Sequence, residues 1–225
     1  MREILNQYEL FNFLPPGELA ILAKNSLLKD YKKGDYVCHE GEAAANFHIV
    51  VSGKIKVVKH TSFGKDVILD IFTKNETFLV EPLFDDDSYP ASAVAAEDST
   101  ILLIEKRTLL KFMERYPKMM RVMLKEFSHK MRELNTQIKD LSVGKVDYRI
   151  ANRMLKLVDK VGQWSGGQVR VDIQLSRQDI ADLAGTTIET AIRTMSRFAK
   201  DHVLQTTKDS IVILDPDRLE DIAAG

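Results

Sequence analysis

The chain of 225 residues has a single cysteine, Cys38. That excludes an intrachain disulfide, and it excludes an iron–sulfur cluster or any metal site built on several thiolates. No stretch approaches the roughly 18 consecutive apolar residues that a membrane-crossing helix needs. The opening residues, MREILNQYELFNFLPPGE, lack both the apolar stretch and the small-residue cleavage site of a signal peptide. The expected location is the cytoplasm, with no membrane partner. An excess of one charge is also missing: 32 Lys and Arg stand against 33 Asp and Glu, a net charge of −1. Any affinity for nucleic acid must therefore come from a local surface. There is no nucleophile elbow, phosphate-binding loop, HExxH or paired-carboxylate pattern with a supporting context, so an enzyme is not expected. Internal repeats and low-complexity segments are absent as well.

What is present falls into three regions. From about Lys32 to Glu105, short β-rich runs alternate with turn signals. FHIVVSGKIKVVKH is two runs broken at Ser52-Gly53; SFGKDVILDIF is a Gly-Lys turn and a strand; STILLIE is a further buried strand. Many short strands with tight turns predict a small antiparallel barrel or jelly roll. Before it, PPGELAILAKNSLL reads as a short helix with Pro15 and Pro16 near its start. KRTLLKFMERY, ahead of Pro117, is another helix.

The middle region carries the most regular pattern. Met120, Leu124, Phe127, Met131, Leu134, Ile138 and Leu141 are spaced 4, 3, 4, 3, 4, 3, an unbroken heptad seam. A helix packed on its own domain shows a wider stripe near period 3.6, so the strict seam predicts a two-helix coiled coil and a homodimer. Ser142-Val143-Gly144 interrupts the pattern and is a candidate hinge. Beyond it, KVDYRIANRMLKLVDKVG is an amphipathic helix, GGQVRVDIQL a turn and strand, and VLQTTKDSIVILD a hairpin turning at Lys208-Asp209-Ser210. The domains expected are residues 1–116 (sensing, with flanking short helices), 117–143 (dimerisation helix and hinge) and 144–225 (winged helix-turn-helix).

The stretch LSRQDIADLAGTTIETAIRTMSRF, Leu175 to Phe198, holds two short helices meeting at a glycine. Ser176 is a good N-cap with Asp179 three residues on, and Thr187 can cap the second helix. Ile180, Ala184, Ala191 and Met195 face inward, leaving Ile188, Glu189, Ile192 and Arg193 on the outside. Arginine can bond guanine O6 and N7 as a fork, glutamate can accept from the cytosine amino group, and an apolar side chain can touch a thymine methyl. Ser176, Arg177, Gln178 and Thr187 lie at helix starts, where phosphates are commonly met. An ordinary helical hairpin with a surface Glu–Arg pair is the bland alternative. The hairpin wing that follows and the exposed isoleucines favour a DNA reader.

Over nearly its full length the sequence resembles the Crp/Fnr family of bacterial transcription regulators. LSRQDIADLAG and TTIETAIR look like that family's first helix, turn and recognition helix. YKKGDYVCHEGE, FHIVVSGKIKV and GKDVILDIF are similar to its cyclic-nucleotide-type β-roll. The resemblance implies an α+β chain: an antiparallel, jelly-roll-like β-roll, a long coiled-coil dimerisation helix and a C-terminal winged helix-turn-helix. It implies a homodimer on a roughly palindromic promoter site in double-stranded DNA, with RNA polymerase as a partner. Glu189 and Arg193 would contact base edges, Ile188 would occupy a discriminating position, and Arg177 and Gln178 would meet phosphates. The half-site would be of the TTGA or GTGA kind.

One segment departs from the family. Where an arginine and a small hydroxyl residue hold a cyclic phosphate, TFLVEPLFDDDSYPASAVAAE offers Ala91 and Ser92, with Val80 in place of the usual glycine before Glu81. It also carries Asp85, Asp86 and Asp87, which repel phosphate unless turned outward. Without the guanidinium fork the main charge-assisted hydrogen bonds are lost, so cyclic AMP is not the expected effector. Glu81, Ser92 and Asn135 are the candidate effector-site residues, for a small molecule left unnamed. Heme, with His39, His48, His60, His129 or His202 as axial ligand, is a less favoured alternative, as is a sensory module acting on a protein partner.

Overall fold

The computed structural model describes residues 1–60, 66–85, 88–207 and 209–224, arranged as two compact units, Met1–Glu133 and Leu134–Gly225. In the first, α1 (Arg2–Asn6) and α2 (Pro16–Lys24) precede β1 (Ser26–Tyr31), β2 (Tyr36–Cys38), β3 (Asn46–Ser52), β4 (Ile55–His60), β5 (Asp66–Phe72) and β6 (Thr77–Phe78). Then come α3 (Pro82–Asp85), β7 (Ser92–Ala95), β8 (Ser99–Glu105), α4 (Lys106–Arg115) and α5 (Pro117–Val143), which continues into the second unit. The strands form two four-stranded antiparallel sheets, ordered β1-β8-β3-β6 and β2-β7-β4-β5. This is the expected jelly-roll-like architecture, closed around Phe47, Ile49, Ile55, Phe78, Ile101 and Ile104, all at most 1% exposed. β-branched and aromatic residues populate these strands because they pack well on a pleated surface.

The roll begins earlier than Lys32. The helix predicted over PPGELAILAKNSLL stops at Lys24, because side chains take over its last carbonyls. Asn25 donates from Nδ2 to the Ile21 carbonyl at 2.9 Å, and Ser26 from Oγ to Leu22 at 2.7 Å. Ser26 then opens β1 opposite Ile104. The expected Gly64-Lys65 turn lies outside the described residues, as do Asp86, Asp87 and Lys208.

α5 has two apolar faces. Met119, Val122 and Met123 are buried, and Phe127 packs edge-on against Phe84 with ring centroids 5.7 Å apart. Of the heptad positions, Met120, Leu124, Met131, Leu134, Ile138 and Leu141 remain 37–64% exposed. Phe127 is the exception, since it turns toward the roll's core. Lys130 pairs with Asp70 of β5 on that same side.

In the second unit, α6 (Val146–Val161) buries Ile150, Ala151, Met154 and Leu157. It is followed by β9 (Gly162–Ser165), β10 (Gln168–Val171), α7 (Arg177–Ala184), α8 (Ile188–Lys200), β11 (Leu204–Thr206), β12 (Ile211–Ile213) and α9 (Pro216–Ala224). The strands form one antiparallel sheet, β11-β12-β10-β9. The sequence suggested a turn and one strand before α7. The structure has a hairpin there, because Gly166 and Gly167 both take positive φ and fold β9 back on β10. α9 was also unforeseen; Asp215 accepts from the Arg218 amide at 2.9 Å and caps its start. Among the described residues no helix is long and apolar enough to cross a membrane, and no cluster of His, Cys, Asp or Glu could hold a metal.

One buried polar group stands out in the roll. His48, on β3, is 2% exposed, its ring stacks on Phe78 at 5.0 Å, and its Nδ1 has no hydrogen-bond partner. Burial depresses its pKa from 6.5 to about 4. A group buried neutral favours folding fully above its unfolded pKa, and that advantage is lost as the pH falls from 6.5 toward 4. Urea unfolding should therefore show the roll losing on the order of 3 kcal/mol between pH 7 and pH 4 through this residue. His48→Leu should flatten that part of the pH profile.

Candidate nucleic-acid interface

The interface is built from helix ends outward. Ser176 Oγ accepts from the Asp179 amide and the Asp179 carboxylate accepts from the Ser176 amide, both at 3.0 Å, completing a capping box that starts α7. α7 ends at Gly185 in the left-handed conformation, φ +59°, with the amides of Gly185 and Thr186 donating back to the Asp182 and Ala181 carbonyls. A side chain at Gly185 would also meet Leu141, whose Cδ2 lies 2.5 Å from where a Cβ would stand. α8 starts two residues later, with Thr187 Oγ1 accepting from the Thr190 amide at 3.3 Å. Between the helices Ile180, Ala184, Ala191 and Met195 are buried, which fixes which face of α8 points outward.

That outer face carries Glu189 and Arg193, both exposed, and Ile192, which is 44% exposed; Ile188 is half-buried beside them. The four residues expected to read bases therefore share the open side of α8. The residues expected at phosphates are more constrained. Ser176 and Thr187 are exposed, with their hydroxyls engaged in the caps. Arg177 is half-buried and donates from Nη2 to Thr206 Oγ1 at 2.8 Å, anchoring it to β11. Gln178 donates to Asp182 at 2.7 Å. An arginine has five N–H donors, so Arg177 can hold the wing and still meet an anion.

Sequence reasoning missed the residues that fasten this head. Asp147, in the first turn of α6, accepts from Thr194 Oγ1 of α8 at 3.0 Å and pairs with Arg197. Arg149 donates to main-chain carbonyls beside both ends of the junction. No local pattern marks either residue, since their partners on α7 and α8 lie tens of residues away in the chain.

The expected effector residues lie in different settings. Ser92 is fully buried; its hydroxyl accepts from the Glu40 amide at 2.9 Å and lies 3.3 Å from His60 Nε2. His60 Nδ1 in turn sits 2.5 Å from Asp66. Ala91 is buried, Glu81 is exposed at the start of α3, and Asn135 is exposed on the part of α5 that belongs to the second unit. The histidines named as possible heme ligands are enclosed, already engaged or on the surface. His48 is enclosed against Phe78 and Tyr89, with ring centroids 5.0 and 5.6 Å away. His60 is engaged by Asp66, and His39 stacks on Tyr36 at 4.3 Å. His129 and His202 lie on the surface. Cys38 is buried, and burial raises its thiol pKa to about 12, so it is not a ready nucleophile.

A roll of two antiparallel sheets, a long helix and a capped helix pair with a β-wing together define a chain with a jelly-roll-like domain and a helix-turn-helix domain. Family profiles match both parts: the cyclic nucleotide-binding domain over residues 28–116 and the Crp-like helix-turn-helix domain over residues 148–222. The chain belongs to the Crp/Fnr family of transcription regulators. It is 27% identical over 219 residues to the CRP-like cAMP-activated global transcriptional regulator of Mycobacterium tuberculosis, covering 97% of this chain and 98% of that one. It is 25% identical to the transcriptional activator protein anr of Pseudomonas aeruginosa, over 86% of this chain and 79% of that one. These relatives carry the names of regulators, not of enzymes. The structure of FixK2 from Bradyrhizobium japonicum shares the fold, with a TM-score of 0.77 at 22% identity over 89% of this chain and 98% of that one.

Removing the cap that starts α7 should weaken the head measurably. Ser176→Ala is expected to destabilise the second unit by about 1 kcal/mol, read as a lower midpoint in thermal or urea unfolding.

Proposed function

We propose that this chain is a cytoplasmic, homodimeric regulator that reads a roughly palindromic promoter site, laying one α8 in the major groove of each half-site. The observation that carries this reading is the outer face of α8: Glu189, Ile192 and Arg193 stand exposed on a helix whose opposite face is buried in a capped helix pair. In this reading Arg193 and Glu189 take neighbouring base edges, Ile188 and Ile192 take thymine methyls, and Ser176, Arg177, Gln178 and Thr187 meet phosphates. The exposed apolar seam of α5 supports it. The exposed seam of α5 pairs with a second copy and so sets two recognition helices about 34 Å apart, one turn of DNA.

The roll senses a small molecule other than cyclic AMP. Ala91 leaves no guanidinium for a cyclic phosphate, and the Ser92 hydroxyl already accepts from the Glu40 amide. The effector works by biasing the dimer between arrangements that do and do not match the half-site spacing, and RNA polymerase is the downstream partner.

Two measurements test this. A selection of random duplexes with the full-length protein should enrich a palindrome containing a G·C pair in each half-site, with affinity falling steeply as salt rises. Enrichment of no such palindrome would sink the reading. On the selected duplex, Arg193→Ala should lose about 1–3 kcal/mol of binding and relax the preference at one base pair. For the dimer, Met131→Glu should shift sedimentation from two chains to one, since a charge in the seam meets its own copy across the axis. An unchanged dimer would place the interface elsewhere.

A further inference from the structure

We infer that Arg149 is a positioning residue for DNA recognition: its guanidinium locks the end of the long helix to the turn that launches the recognition helix. This rests on the DNA-reading role proposed for α8.

The geometry is specific. Arg149 Nε donates to the Ala184 carbonyl at 2.9 Å, Nη2 to the Gly185 carbonyl at 3.2 Å, and Nη1 to the Gly144 carbonyl at 2.8 Å. Ala184 and Gly185 close α7, and Gly144 follows α5 directly. Carbonyls at helix C-termini lack intrahelical partners and carry partial negative charge, so a cation that bridges two such ends is held by both. A planar fork with three donors in use can span two separate chain ends, whereas a lysine ammonium is a compact point charge.

The residues on either side act in the same joint. Tyr148 donates from its hydroxyl to Asp140 of α5 at 2.9 Å. Asp147 accepts from Thr194 of α8 and pairs with Arg197. Three consecutive residues of α6 thus bind α5, the α7 turn and α8. Leu141 fills the space above Gly185 that any side chain would claim. The last turns of α5, from Leu134, belong to the same compact unit as the helix-turn-helix. The break at Ser142–Gly144, which the sequence marks as a hinge, is therefore stapled rather than loose. A recognition helix fixed to α5 in this way turns with it, so a change in the dimer helices reaches the bases without slack.

The test uses the full-length protein with Arg149→Lys, Arg149→Gln and Tyr148→Phe, each first checked for cooperative unfolding. Without DNA, backbone hydrogen exchange should rise at both residues 140–146 and 183–188 in the two Arg149 variants, while β10, β12 and α9 keep their protection. In Tyr148→Phe the rise should be confined to residues 140–146. On the selected palindrome and on duplexes with the half-site spacing lengthened or shortened by one base pair, the wild type should prefer its own spacing on the order of tenfold. Arg149→Lys should flatten that preference to about twofold while keeping the base preference within each half-site, which Arg193 sets. Exchange that stays low, or rises at one segment alone, overturns the lock. Raised exchange with an unchanged spacing preference overturns the positioning role. If wild type binds no duplex, the DNA reading has failed, and exchange alone then decides whether the lock exists. If the glutamine variant does not fold, the lysine variant carries the comparison.

Discussion

A helix that must satisfy two apolar faces constrains everything else in this chain. α5 runs 27 residues, about 40 Å of helix. Its roll-facing stripe, Met119, Val122, Met123 and Phe127, is covered by the chain's own sheets. The other stripe, Met120, Leu124, Met131, Leu134 and Ile138, remains 37–64% exposed in a single chain. The first face fixes the start of α5 to the roll, and the second stands open in a single chain. The end of the same helix is then committed a third time, through Asp140, Leu141 and Gly144, to the helix-turn-helix.

The roll shows how a ligand-binding fold can retain its frame while its interior chemistry changes. Ser92 keeps a hydroxyl where the family resemblance puts an anion contact, but that hydroxyl anchors the backbone at Glu40 and stands beside His60. Tyr89 similarly holds both polar groups of the Asn46 backbone. These bonds close the polar interior on itself. Among buried side-chain nitrogen and oxygen atoms of the described residues, His48 Nδ1 alone lacks a partner, and it is walled in by aromatic rings. Burial holds His48 neutral within that closed interior.

Local physics was legible in the residue order. The N-caps of Ser176 and Thr187, the left-handed Gly185 and the inward set Ile180, Ala184, Ala191 and Met195 all depend on neighbours within a few positions, and each stands as read. Heptad spacing likewise announced the long helix. Where the reading erred, a nearby alternative won. Asn25 and Ser26 ended α2 early by bonding its carbonyls, and paired glycines made a hairpin where one strand was expected. Residue order by itself thus determined the element types, the class of reader and the open face of α8, because periodicity and capping are short-range. Only tertiary structure decided that Phe127 leaves the seam, that His48 is sealed without a partner, and that Arg149 reaches Ala184 across 35 positions of sequence. Those outcomes depend on which distant surfaces meet, and composition and spacing carry no record of that meeting.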